Sequence, residues 1–137
     1  MAKYVKQSVA ETLSYLAYHG HVVSSSWAPN TDVYETPDNL VVRMETAGLD
    51  REGLEIALSD RLLVVRGFRR DPCRQRRCSF HQMEIDYGFF ERRIVVPRKV
   101  DGHRARARFE NGFLHIELPK SDTAALVAVT LVVEEWS

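Results

Sequence analysis

Apolar and polar residues alternate along most of the chain from residue 27 to its end. A period of two marks a strand with one buried face, because successive side chains point to opposite sides of a sheet. Asp32-Val33-Tyr34-Glu35-Thr36 makes a short strand, turned by Pro37-Asp38. Leu40, Val42 and Met44 alternate with Val41, Arg43 and Glu45, and Gly48 breaks the run. Leu54, Ile56 and Leu58 begin a new alternation. After Ser59-Asp60, Leu62-Leu63-Val64-Val65 is apolar on both faces and is predicted to be central. A polar stretch follows Gly67 as far as Arg77. A weaker strand over 79–86 precedes Phe90 to Val96, and Pro97 stops it.

The clearest local signal is Asn111-Gly112. Ala105, Ala107 and Phe109 lead into it, opposite Arg104, Arg106 and Arg108; Leu114, Ile116 and Leu118 lead out. A two-residue type I′ turn needs positive φ at both centres, which Asn-Gly accepts, so the pair predicts a hairpin. Pro119 closes its second strand. Beyond it, Val127, Val129, Leu131 and Val133 form another strand-like run. An apolar strand outside a finished sandwich needs an edge to join, and the expectation is that another chain supplies it. Short strands at this spacing predict an all-β chain built as an antiparallel sandwich.

Before this β region, Val5, Val9, Leu13 and Leu16 recur at helical spacing, and Gly20 is a natural stop. Ser24-Ser25-Ser26 then resembles a linker. The chain divides into an N-terminal segment, 1–27, a β domain, 28–120, and a C-terminal extension, 121–137.

Composition narrows the function classes. The 19 Lys and Arg balance the 19 Asp and Glu, so no bulk attraction to nucleic acid or to an anionic membrane is expected. Two cysteines, Cys73 and Cys78, are too few for a disulfide framework and favour a reducing, cytoplasmic setting. No apolar run reaches transmembrane length, and no secretory signal is evident. The histidines are scattered and no nucleophile motif or phosphate loop is present, so an enzyme is not expected and no cofactor is implied. Two other chemistries stay open. Arg69, Arg70, Arg74, Arg76 and Arg77 make a basic loop that is a candidate nucleic-acid contact. Cys73-x4-Cys78-x2-His81 gathers three soft ligands without an evident fourth.

Several motifs occur in a telling order. Trp27-Ala28-Pro29 with Asp32-Val33-Tyr34-Glu35, then Ala47-Gly48-Leu49, then Glu84, Gly88, Phe90, Arg92 and Arg93, then Asn111-Gly112-Phe113-Leu114 and Leu118-Pro119-Lys120 resemble the α-crystallin domain of small heat shock proteins. The resemblance covers residues 27–120 and points to the bacterial and plant type. It implies an immunoglobulin-like β-sandwich and an ATP-independent holdase that binds unfolding client proteins. It also implies a homo-oligomer built from dimers, expected to exchange, and the balanced charge adds the expectation of no nucleic-acid or membrane partner. An arm bearing Phe80, Met83, Ile85 and Tyr87 would swap onto a partner's strand at Val33 and Tyr34, with Arg92 at the interface. Val129 and Leu131 would be the docking motif of the tail, for which Val127/Val129 and Leu131/Val133 are alternative registers. The groove receiving it would be lined by Leu54, Ile56, Leu58, Ala105, Ala107 and Phe109. Val5, Val9, Leu13 and Leu16 would bind clients. The related sandwich of Hsp90 co-chaperones is an alternative role for the same fold.

Overall fold

The computed structural model describes residues 3–6, 27–74, 76–125 and 127–137. Its strands are β1 (Lys3–Lys6), β2 (Thr31–Glu35), β3 (Asn39–Glu45), β4 (Glu55–Ser59), β5 (Leu62–Arg69), β6 (Gly88–Val95), β7 (Arg106–Glu110), β8 (Phe113–Pro119), β9 (Ala128–Val132) and β10 (Glu135–Trp136). They form two five-stranded sheets, ordered β1-β9-β4-β5-β6 and β10-β7-β8-β3-β2. Every pairing is antiparallel except that of β10 with β7.

The core lies between the sheets. Leu40, Val42 and Met44 of β3 and Leu114, Ile116 and Leu118 of β8 are fully buried from one side, with Ile56, Leu58, Leu63 and Val65 from the other. These are the alternating positions, so the period of two sets which face turns inward. β5 lies between β4 and β6, and Leu63, Val64 and Val65 are all buried.

Turn chemistry closes the hairpins. Asn111 and Gly112 both have positive φ, 53° and 81°, as the β7–β8 turn requires. The tip is also tied down, since the Thr46 backbone N–H donates to the Gly112 carbonyl at 2.8 Å. A Cβ at Gly67 would overlap the ring of Phe90, with Cζ at 2.7 Å. Glycine in the middle of β5 is therefore the space into which Phe90 packs.

Three local expectations change. Val5 lies in a β-strand, β1, instead of opening a helix; the remainder of the predicted helix, with Val9, Leu13 and Leu16, falls outside the described residues. Leu54 precedes β4 and caps a 3-10 turn at Arg51–Gly53 whose entry is held by Asp50 accepting from the Glu52 N–H. Residues 79–86 form no strand. A strand needs a ladder partner, and among the described residues this segment has none.

Candidate docking groove and swap arm

The C-terminal extension lies in a groove of its own chain. β9 pairs with β4, placing Val129 opposite Leu58 and Leu131 opposite Ile56. Val129 and Leu131 are buried at 0% and 3% exposure, and Ile56, Leu58, Ala105, Ala107 and Phe109 are buried with them in one core cluster; Leu54 packs at its margin. Val127 and Val133, two residues to either side, are partly buried against the same cluster. The expected occupant was a neighbour's tail, whereas in this structure the chain's own tail fills the site. The physical reason is proximity. Lys120 bridges to Val100, just ahead of Gly102 at the groove, and a short connection carries the chain to Ala128. Gly102 lets it pass: a Cβ there would meet Val127 Cγ2 at 2.9 Å.

The tail then crosses to the other sheet. Glu135 and Trp136 pair in parallel with Arg108 and Phe109 of β7. The Ser137 N–H donates to the Phe109 carbonyl at 3.0 Å, and the Asn111 N–H donates to the Ser137 carbonyl at 3.2 Å. The Trp136 ring stacks on Phe109 at 4.2 Å and 11°, with the Arg51 guanidinium 5.9 Å from its centroid. Sequence reasoning missed this second anchor. Its signal was a lone tryptophan among acidic residues at the chain end, Glu134-Glu135-Trp136, where an unpacked indole has no reason to be. Finally, β1 pairs with the outer side of β9, so the tail is also the strand on which the N-terminal strand rests.

The second candidate region is the excursion between Arg69 and Gly88, which are themselves ladder partners. Arg69 clamps its root. Nε and Nη2 donate to the Asp86 carbonyl at 2.7 and 2.5 Å, and Nη1 donates to the Ala47 carbonyl at 3.2 Å. Its guanidinium lies 4.2 Å from the centroid of Trp27, whose Nε1 donates to the Gly88 carbonyl at 3.1 Å. A cleft of about 690 Å³ opens here, bordered by Trp27, Arg69, Glu84, Ile85 and Tyr87. Arg69 therefore leaves the basic loop, while Arg70, Arg74, Arg76 and Arg77 remain exposed.

On the arm, Phe80, Met83 and Ile85 are exposed, the last two at 64%, and Tyr87 is half-buried at the clamp. Val33 and Tyr34 are also exposed, on β2, which is the edge strand of its sheet. Arg92 is half-buried on β6 opposite Val65, with no ion pair among the described residues. The buried ion pair of that hairpin is Arg66 with Glu91, 2.7 Å apart, and Arg93 adds a 3.5 Å contact to the same carboxylate.

Charge is otherwise spent at the surface. Arg98 and Lys120 hold the Glu35 carboxyl below its ordinary range through hydrogen bonds and charge. Burial first, then the charges of Arg108 and Arg43, lower the pKa of His115. A hydrogen bond that the Cys78 thiol makes to the Cys73 side chain, followed by burial, raises the pKa of Cys78. Among the described residues, no group of three or more His, Cys, Asp or Glu could hold a metal ion. No described helix is long and apolar enough to cross a membrane.

The fold and its occupied groove define a β-sandwich that accepts an extended segment by strand addition between two sheets. A model of the Hsp20/alpha crystallin family matches residues 32–129, and the chain belongs to that family. It is 31% identical to small heat shock protein C2 of Rickettsia felis over 94 residues, covering 69% of this chain and 61% of that protein. With heat shock protein 16 of Schizosaccharomyces pombe it shares 27% identity over 130 residues, 91% of each chain. Among solved structures, heat shock protein 16.0 of S. pombe superposes with a TM-score of 0.68 at 26% identity, covering 76% of this chain and 82% of that one. HspA of Xanthomonas axonopodis gives 0.65 at 30%, covering 74% and 100%.

Proposed function

We propose that this protein is an ATP-independent holdase that captures unfolding proteins and works as an exchanging oligomer of strand-swapped dimers. The observation that carries the reading is a removable strand over an apolar groove. Burying Val129 and Leu131 contributes ~1.5–3 kcal/mol each. Closing the short connection after Lys120 within one chain costs about 2 kcal/mol, whereas docking on a separate chain costs roughly 4–15 kcal/mol in association. Cis closure is thus the resting state of a dilute subunit. Docking of the same tail on a neighbour wins only when many tails act together, which raises their effective concentration.

Tail release does two things at once. It bares Ile56, Leu58, Ala107 and Phe109 between two unpaired edges, and it takes from β1 the strand it pairs with. The groove and the N-terminal segment with Val5, Val9, Leu13 and Leu16 are then the client-binding surfaces. Such surfaces favour the unfolded state of a client by mass action and need no fuel. The exposed arm residues Phe80, Met83 and Ile85, facing no ladder, complete the β2 edge of a partner at Val33 and Tyr34. Arg92 lies on the hairpin at the root of this swap. The site is one of binding, not catalysis, with the cytoplasm as its setting and neither nucleic acid nor membrane as partner. Nucleic-acid binding through the arginine loop is disfavoured because Arg69, its first member, is committed to the arm clamp. The Hsp90 co-chaperone role is disfavoured by the tail seated in the groove.

The test is suppression of light scattering by an aggregating model protein without ATP, comparing the full chain with one ending at Lys120. Full-length protein that gives no protection at several-fold molar excess overturns the holdase. A truncated chain with the same assembly mass overturns the role of the tail.

A further inference from the structure

The arm carries a second feature, near its root. The Asp71 carboxylate accepts from the Cys73 N–H at 2.9 Å, the Arg74 N–H donates to the Asp71 carbonyl at 3.3 Å, and the Arg76 N–H donates to the Cys73 carbonyl at 3.1 Å. These bonds turn the backbone at Asp71–Arg74 and bring Arg76 back to Cys73. Their result is that the Cys78 Sγ folds back to within 3.8 Å of the Cys73 carbonyl oxygen. Both cysteines are free thiols, Cys78 exposed and Cys73 half-buried.

We propose that Cys73 and Cys78 are an oxidation site: they close to an intrachain disulfide that shortens the arm and so slows strand exchange between subunits. The effect on exchange rests on the swapped-dimer reading above. With hydrogen peroxide as oxidant, one thiolate attacks an oxygen, the O–O bond breaks, and a sulfenic acid forms with release of water. The second thiolate then attacks the sulfenic sulfur and displaces its oxygen as a second water. Two thiols lose two protons and two electrons, and one peroxide becomes two waters. A dithiol reductant reverses the bond by exchange.

Reach decides the consequence. The five peptide units from Cys73 to Cys78 span about 17 Å when extended, against a disulfide Cα separation of about 5.5 Å, so closure locks the folded-back arrangement and withholds up to about 11 Å of the extension open to the reduced arm. That exceeds twice the ~4.8 Å spacing of neighbouring strands. An arm pinned at Arg69 and Gly88 then has less length to extend between partners, so Phe80, Met83 and Ile85 pass from one β2 edge to another more slowly. Local pairing also outcompetes cross-linking, because the turns hold the two residues together while a neighbouring subunit's thiols are dilute. The raised Cys78 pKa makes thiolate scarce. Sustained oxidant, more than a brief pulse, therefore sets the switch.

The experiment treats the full chain with hydrogen peroxide and maps the thiols by alkylation and peptide mass. Subunit exchange is read between two fluorescently labelled populations, with native mass beside it. The expected result is an intrachain bond between Cys73 and Cys78, removed by dithiothreitol, with exchange several-fold slower. Cys73→Ser and Cys78→Ser variants, dimeric like the reduced wild type, should not respond. Thiols that stay free, or bonds that join subunits, overturn the site. An intrachain bond with exchange unchanged overturns the switch while the swap stands. Reduced protein that remains monomeric overturns the swap, and the thiol map then judges the oxidation site on its own.

Discussion

Two segments of this chain lie outside the sandwich proper, and both carry alternating apolar residues. The tail, with Val129 and Leu131, is built into the core, whereas the arm, with Phe80, Met83 and Ile85, is exposed and unpaired. Residue type does not separate them, since each could line one face of a strand. Tethering does. The tail leaves Lys120 and does not have to return to it, so it can lie along β4, cross the sandwich and pair with β7. The arm leaves at Arg69 and must return at Gly88, which pairs with Arg69. A loop pinned at one point has to come back on itself, and this one meets no edge among the described residues. The lesson is that an apolar strand free to run on from the sandwich closes in cis, while one whose two ends meet at a single ladder pair waits for a partner.

That contrast can be broken at its stronger half first. Ending the chain at Lys120 removes Val129, Leu131 and Trp136 and opens the groove. Urea unfolding of the β domain should show a loss of ~3–6 kcal/mol from the two buried aliphatic side chains, and the assembly mass should fall. A truncated chain of undiminished stability would mean that the groove is closed by something other than the tail.

The arm root comes next. Arg69→Ala removes hydrogen bonds to Asp86 and Ala47 and the stack on Trp27. The expected cost is about 1–2 kcal/mol, below the usual range for charged donors because the side chain is partly solvated. Proteolysis between residues 70 and 86 should accelerate. If cleavage there is unchanged, the clamp does not hold the arm.

Trp136→Ala tests the second anchor of the tail. Aromatic stacking of this kind contributes ~0.5–1.5 kcal/mol beyond area burial. Amide exchange in β9 should quicken accordingly, with β8 unaffected; equal protection in both variants would show that β10 adds nothing to tail docking.

The smallest effect is electrostatic. Glu35, at the end of the β2 edge, has a carboxyl pKa lowered from 4.5 by Arg98 and Lys120. A depressed acid adds stability that is complete above its unfolded value and disappears as pH falls through the folded one. The midpoint of urea unfolding should therefore drop below pH 4.5, and Glu35→Gln should flatten that part of the curve. His115 acts at higher pH. Its pKa is lowered from 6.5, so the unfolded chain takes up the proton first and stability declines as pH falls below 6.5. His115→Gln should remove that decline and leave the acid limb of Glu35 in place.

Much of the fold was legible as pattern. Leu40, Val42, Met44, Leu114, Ile116 and Leu118 alternate with polar neighbours, and each is buried. Asn111-Gly112 marked the hairpin because few other pairs accept positive φ twice. The failures share a cause. Val5 sits at helical spacing yet lies in a strand, because β9 offers it an edge that the local pattern does not contain. Residues 79–86 alternate yet form no strand, because no edge among the described residues reaches them. Trp136 carried no periodic signal at all; its partner, Phe109, lies far back in the chain.

By itself, then, the sequence determined which face of each strand turns inward, where the chain turns, and that two apolar segments remain after the sandwich is complete. These follow from φ preference and a period of two, which act over a few residues. Only the tertiary structure decided where those segments go. Strand pairing depends on an edge within reach, and reach is set by where the two sheets leave their borders and by how each segment is tethered. That is why the tail, predicted to need another chain, rests in its own, and why the arm remains unpaired.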